Sequence, residues 1–139
     1  MPITAYCDAG SRGNPGPAAC AYVIYENGKK TLYSSWYIGE QTNNVAEYSA
    51  LIGLLRELKV PAEIFCDSAL VVNQVMGKWK VKHENMKPLH AEAQALLIRG
   101  KHTLTHIKGH SGIPGNELAD QLVNIELNDY EEKSKERKA

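Results

Sequence analysis

From Ile3 to Ala9 apolar and polar positions alternate, the two-residue period of a half-buried strand, and Asp8 stands at its end. Ser11 to Pro17 breaks the period with Gly, Asn and Pro, which predicts a loop. Ala19 to Tyr25 is rich in Tyr, Val and Ile and reads as a second strand. Asn27-Gly28 then marks a tight hairpin turn, and Thr31 to Ile38 returns as a third strand. These three form an antiparallel meander. Beyond them the period lengthens. Thr42, Asn43 and Asn44 offer helix N-caps, and the helix they open runs to about Leu58, with Pro61 blocking continuation. Leu51, Leu54, Leu55 and Leu58 are its buried stripe. Glu47, four residues before Leu51, falls on that same apolar face, where a solvated carboxylate has no reason to be.

The second half alternates strand and helix. Ala62 to Cys66 is a short apolar strand ending at Asp67. Ser68 caps a helix over Ala69–Met76, which Gly77 ends. Residues 77–88 form a basic, aromatic connection. A helix from about Pro88 to Ile98 ends at Gly100, His102 to Lys108 is a fifth strand, and Gly109 to Gly115 is a loop. Asn116 is expected to cap a last helix carrying Leu118, Leu122 and Leu127. Tyr130 to Ala139 is a charged run expected to fray or trail. The organisation is therefore one domain over 1–128 and a charged tail over 129–139. The fold class is α/β, a five-stranded mixed sheet: a three-strand antiparallel meander plus parallel strands ending at Asp67 and Lys108, flanked by helices and joined by right-handed crossovers.

Composition alters this picture little, and charge alters it more. No apolar run approaches a membrane span, and the N-terminus shows no charged stretch leading into an apolar one, so a cytoplasmic protein is expected. Cys7, Cys20 and Cys66 lack metal-site spacing and read as buried small hydrophobes; a Cys7–Cys66 disulfide is the alternative if their strands pair in register, disfavoured where thiols stay reduced. Net charge is zero, yet residues 71–110 hold seven basic residues against two acidic ones, together with all five histidines. Segregation of that kind suits one nucleic-acid face, or a chance cluster of solvated lysines.

Ligands of such sheets sit beyond the carboxyl ends of the parallel strands. Asp8 and Asp67 stand at those ends, each followed by small residues. Glu47 points at the sheet, and Asp120 lies near the start of the last helix. Taken singly, each carboxylate has an ordinary explanation as a turn former or a helix-start charge. Converged, they would repel one another unless cations lay among them, and hard oxygen donors select Mg2+ or Mn2+. Two such ions suit phosphodiester hydrolysis. His110, in the loop after the fifth strand, suits proton transfer to a leaving group, or is a plain surface histidine. His83, His90, His102 and His106 read as ordinary structural or surface residues.

Four ordered segments carry a resemblance. Asp8-Ala9-Gly10-Ser11-Arg12-Gly13-Asn14-Pro15-Gly16-Pro17 resembles the opening motif of type 1 ribonuclease H. Thr42-Asn43-Asn44-Val45-Ala46-Glu47 is similar to its second motif and Cys66-Asp67-Ser68 to its third. The segment from Lys108-Gly109-His110-Ser111-Gly112 through Asn116 to Asp120 resembles its fourth, so the likeness spans Ile3 to about Val123. It implies a ribonuclease H-like fold and an Mg2+-dependent endonuclease that cuts the RNA strand of RNA–DNA hybrids without sequence preference, leaving 5′-phosphate and 3′-hydroxyl ends. It implies Asp8, Glu47, Asp67 and Asp120 as ligands of two Mg2+ ions, replaceable by Mn2+, with His110 assisting at the leaving group. It implies hybrid contacts through Gly10, Ser11, Asn14, Thr42, Asn43 and Ser68. Trp79, alternating with Lys78, Lys80 and Lys82, could track a DNA strand by stacking and charge, or could pack on the core.

Three departures stand out. Ala9 replaces a common glycine, Ala69 replaces a common glutamine, and the long basic protrusion of several bacterial members is reduced to Lys78–Lys82. The partner implied is the hybrid, with no membrane, no obligate protein partner and a monomeric state. The competing readings are a DNA-acting nuclease of the same fold and a hybrid-binding module without catalysis.

Overall fold

A computed structural model describes residues 2–138. Strands β1 (Ile3–Ser11), β2 (Gly16–Glu26) and β3 (Lys29–Gln41) form the expected meander. Asn27 (φ 53°) and Gly28 (φ 79°) both adopt left-handed backbone at the β2–β3 turn, the geometry whose twist matches that of the flanking strands. Helix α1 (Asn43–Glu57) follows, then β4 (Glu63–Cys66), α2 (Ala69–Val75), a 3₁₀ turn (Glu84–Met86), α3 (Lys87–Arg99), β5 (Thr103–His106) and α4 (Pro114–Lys138). The strand order is β3-β2-β1-β4-β5. β1 pairs antiparallel with β2, and β4 pairs parallel with both β1 and β5, so β1, β4 and β5 end on the same edge.

Alternation along the strands divides the molecule into layers. Ile3, Ala5, Cys7 and Ala9 of β1 pack with α1, α2 and α3 in the larger core, where Tyr48, Leu51 and Leu54 of α1 are fully buried. Each buried leucine contributes about 1.5–3 kcal/mol. On the opposite face Ala19 and Ala21 of β2 meet Val123 and Leu127 of α4. Small residues on that face let α4 lie close to the sheet.

The meander strands run further than expected, so that Ser11, Gly16 and Pro17 lie in β1 and β2 rather than in the loop, and the structure departs from the sequence expectations at three further places. Asn116 does not cap α4. The helix begins at Pro114, a residue pre-set for a first helical turn, and Asn116 is buried inside it. A Cβ on Gly115 would lie 2.2 Å from the Tyr6 ring, so the helix start is pressed against β1, and that contact buries its neighbour. The charged segment expected to fray or trail continues α4 through Lys138. Tyr130 stacks on Tyr37 at 4.4 Å, Glu131 pairs with Arg12, and Lys133 pairs with Asp129 one turn earlier. Strand β5 is Thr103–His106, shorter than His102–Lys108 at both ends; at the first end the His102 ring accepts the Ala62 N–H at 3.0 Å. Cys7 and Cys66 are register partners in the parallel ladder, fully buried, and remain free thiols.

Candidate metal centre and nucleic-acid groove

Asp8 is the sixth residue of β1, and Asp67 directly follows the last residue of β4. Glu47 comes down from the first turn and a half of α1, whose start is fixed by Thr42: its hydroxyl accepts the Val45 N–H at 3.2 Å. Carboxylate oxygens of Asp8, Glu47 and Asp67 all lie within 4.8 Å of one another. Asp8 and Glu47 are each only 5% exposed, and Asp67 is half-buried. Asp120 stands just outside this set on α4, close enough for its charge to raise both Asp8 and Asp67. The structure thus brings together three of the four carboxylates picked out in the sequence, with the fourth beside them.

The electrostatics are those of an acidic site in which burial and mutual repulsion outweigh the nearby histidines. Burial, then the charge of Asp67, pushes Asp8 up to about 9, against a backbone hydrogen bond at Ala9 that works the other way. Burial raises Glu47 well above the ordinary carboxylate range, and the buried Cys66 thiol, Asp8 and Asp67 add to it. Asp67 is also raised, chiefly by burial, while a hydrogen bond from Asp8 and the nearby His110 and His106 hold it down. The Glu47 Oε2 atom is buried and has no hydrogen-bond partner among the described residues. A carboxylate oxygen orphaned among other carboxylates costs several kcal/mol in a dry site. The donor set suits a hard divalent cation, which would satisfy that oxygen and offset the repulsion.

The surrounding residues fall into place unevenly. His110 is exposed on the β5–α4 loop with a left-handed backbone (φ 56°), and its charge bears on Asp67. Gly109 passes so close that a Cβ there would meet Asp67 Oδ2 at 3.2 Å, which the sequence reading had not singled out. His106, read as an ordinary residue, also faces Asp67. Ser68 caps α2, its hydroxyl accepting the Val71 N–H. Gly10 is half-buried, and the Ser11 hydroxyl is buried without a hydrogen-bond partner among the described residues. Asn14 and Asn43, both exposed, are joined: Asn14 Oδ1 accepts the Asn43 N–H at 3.0 Å.

Two hollows adjoin one another along the start of α1, the element that carries Glu47. One, of 230 Å³, is lined by polar groups including Asn14, Thr42, Asn44, His83 and Asn85. The other, of 490 Å³, shares Asn44, His83 and Met86 and adds Leu70, Trp79, Lys80 and Lys82. Trp79 is 50% exposed, so it lines a groove rather than packing into the core. Gln74, missed in the sequence, holds this wall in place. Buried at 3% exposure, it accepts from the Tyr48 hydroxyl at 2.6 Å and donates to the Lys80 carbonyl at 3.2 Å. Its signal was present: a polar side chain between Val71 and Val75 on the apolar stripe of α2.

An α/β sheet whose parallel strands end in converging carboxylates, beside a basic aromatic groove, defines a class of acidic-centre α/β proteins. Within that class the RNase H family model matches residues 1–127. Over 136 residues the chain is 36% identical to a ribonuclease H of Marinobacter nauticus, covering 88% of this chain and 91% of that protein. It is 45% identical over 132 residues to the bifunctional protein Rv2228c of Mycobacterium tuberculosis, covering 89% of this chain and 35% of that protein, so it spans about a third of that relative's length. The structure of LC11-RNase H1 in complex with an RNA/DNA hybrid superposes with a TM-score of 0.77 at 34% identity, covering 90% of this chain and 99% of that one. The chain belongs to the RNase H family.

Proposed function

We propose that this chain hydrolyses the RNA strand of RNA–DNA hybrids, endonucleolytically and without sequence preference, leaving 5′-phosphate and 3′-hydroxyl ends. The observation that carries the reading is the trio of buried or half-buried carboxylates at the strand ends, with an orphaned Glu47 oxygen. Its family membership and its likeness to a relative solved with a hybrid support the substrate.

Asp8, Glu47, Asp67 and Asp120 are the residues that would hold Mg2+, two ions once substrate is bound, with Mn2+ a substitute. When bound, the divalent ion supplies a Lewis acid and a water acidic enough to attack near neutral pH. In the reaction water adds to phosphorus, the bond to the 3′-oxygen breaks, and that oxygen takes a proton. His110, exposed and near enough for its charge to act on Asp67, would hold that proton and deliver it. Asn14 and Asn43 face the wide minor groove, where 2′-hydroxyls distinguish RNA from DNA, along with the loop at Gly10 and Ser11. Thr42 lies at the polar hollow suited to a phosphate, Ser68 lies beside Asp67, and Trp79 offers a stacking platform for the DNA strand. The protein acts as a monomer in the cytoplasm in this reading.

The test is cleavage of an end-labelled hybrid by the purified chain in Mg2+, beside single-stranded RNA, double-stranded RNA and double-stranded DNA. Cleavage of the hybrid RNA alone, lost in Asp8→Asn, is the expected result. Cutting of double-stranded DNA would point to a DNA nuclease, and binding without cutting in Mg2+ or Mn2+ to a silent hybrid-binding module.

A further inference from the structure

We infer that Glu131, near the far end of α4, is a positioning residue for the loop between β1 and β2, and that it acts through Arg12. This rests on the reading above, in which that loop meets the hybrid. Only residues 12–15 separate the two strands. The loop is closed on itself: the Arg12 N–H donates to the Pro17 carbonyl at 2.8 Å. A Cβ on Gly16 would lie 2.3 Å from the Arg12 carbonyl oxygen, so the two arms are in contact, and only glycine fits. So small and tight a loop moves largely as one piece, and its orientation is set by whatever holds its side chains.

Two tethers do so. On one side Asn14 is joined to the start of α1 through the Asn43 N–H. On the other, Arg12 reaches α4, donating from Nη1 to Glu131 Oε1 at 2.7 Å and from Nη2 to Asn124 Oδ1 at 3.3 Å. Asn124 and Glu131 are two helical turns apart and share a face. Asn124 also donates to the Asp120 carbonyl one turn back, at 3.1 Å. The face of α4 that carries the fourth carboxylate is therefore the face that holds the substrate loop. Arg12 spans the gap between them, and Glu131 supplies its only ionic partner among the described residues. Glu131 lies beyond residues 1–127, the portion that the RNase H family model matches.

The pair is partly solvated, with side chains 32% and 49% exposed, and this bounds the effect. An ion pair of that kind changes an equilibrium by up to about fivefold. Because the tether orients a binding loop and touches none of the reacting atoms, its loss should appear in KM and leave kcat alone.

The experiment is steady-state cleavage of a hybrid in Mg2+ by the full chain and by Glu131→Gln, Arg12→Met and the double variant, with thermal midpoints for all four. Expected are KM values raised about two- to fivefold in each single variant at unchanged kcat, with the double variant no worse than the weaker single one. That lack of additivity separates an action through Arg12 from general support of the helix, which would add and would track the midpoints. An unchanged KM in Glu131→Gln, or additive losses, overturns the inference. So does a lowered KM, which would mean that Glu131 competes with the hybrid for Arg12. Absence of cleavage by the unaltered chain removes the functional reading and this inference with it, whereas cleavage with an indifferent Glu131 removes this inference alone.

Discussion

Asp8 must serve two incompatible states at one position. Without a cation it sits buried beside Asp67 and Glu47, and its carboxyl is pushed up to about 9. In the unfolded chain the same group ionises near ~3.9. The folded state therefore holds its proton long after the unfolded state has released it. The stability this represents is fully present below the unfolded value and is lost as pH rises through the folded one. The metal-free chain should accordingly lose denaturation midpoint steadily between about pH 4 and pH 9, and Mg2+ should restore most of the loss at the alkaline end. Asp8→Asn should flatten the slope and raise stability at pH 8 by about 1 kcal/mol or more while abolishing cleavage. Chemical denaturation across pH, with and without Mg2+, checks both; a flat profile for the unaltered chain would contradict the assigned burial. Glu47 was legible in the sequence because a carboxylate on an apolar stripe violates the pattern. Gly109 and His106 were not, since their nearness to Asp67 arises from pairing between β4 and β5, which no local pattern encodes.

At the level of elements, Gln74 does for the groove what Thr42 does for α1. It joins α1, α2 and the connection after α2 through Tyr48 and Lys80, and its own carbonyl meets His90 Nε2 of α3 at 2.9 Å. Gln74→Ala removes two side-chain hydrogen bonds and leaves the buried Tyr48 hydroxyl without its partner. The expected cost is about 2–3 kcal/mol in a denaturant titration. The segment carrying Trp79 and Lys80 should loosen with it, raising KM for the hybrid; a variant as stable as the parent would show that the connection is held elsewhere. The strands and helices themselves were readable from period and caps, including the parallel alignment of β1, β4 and β5. Two helix features escaped: the start of α4 and its length. The first was set by Gly115 closing on Tyr6, and the second by Tyr37 and Arg12 offering partners to a segment whose composition alone suggested fraying.

Over the whole molecule, a net charge of zero hides a division of labour. The basic excess of residues 71–110 reaches the surface in part as exposed Lys78, Lys80 and Lys82 around Trp79, while the carboxylates gather at the strand ends. In the proposed function, the lysines beside Trp79 supply the attraction closest to the groove, and that short connection can neutralise few phosphates at once. Hybrid binding should therefore weaken only gently with salt, the slope of log affinity against log salt corresponding to roughly two to four phosphate contacts. Lys80→Ala and Lys82→Ala should each reduce that slope by about one. Trp79→Ala should leave the slope unchanged and weaken binding by about tenfold, because stacking on a base is uncharged and worth about 1–3 kcal/mol. Binding titrations of the hybrid at several salt concentrations, in Ca2+ to suppress turnover, distinguish the two contributions. A Trp79→Ala chain that binds as tightly as the parent would mean that the DNA strand does not enter the groove, and the substrate would then have to be held by the β1–β2 loop and the start of α1 alone.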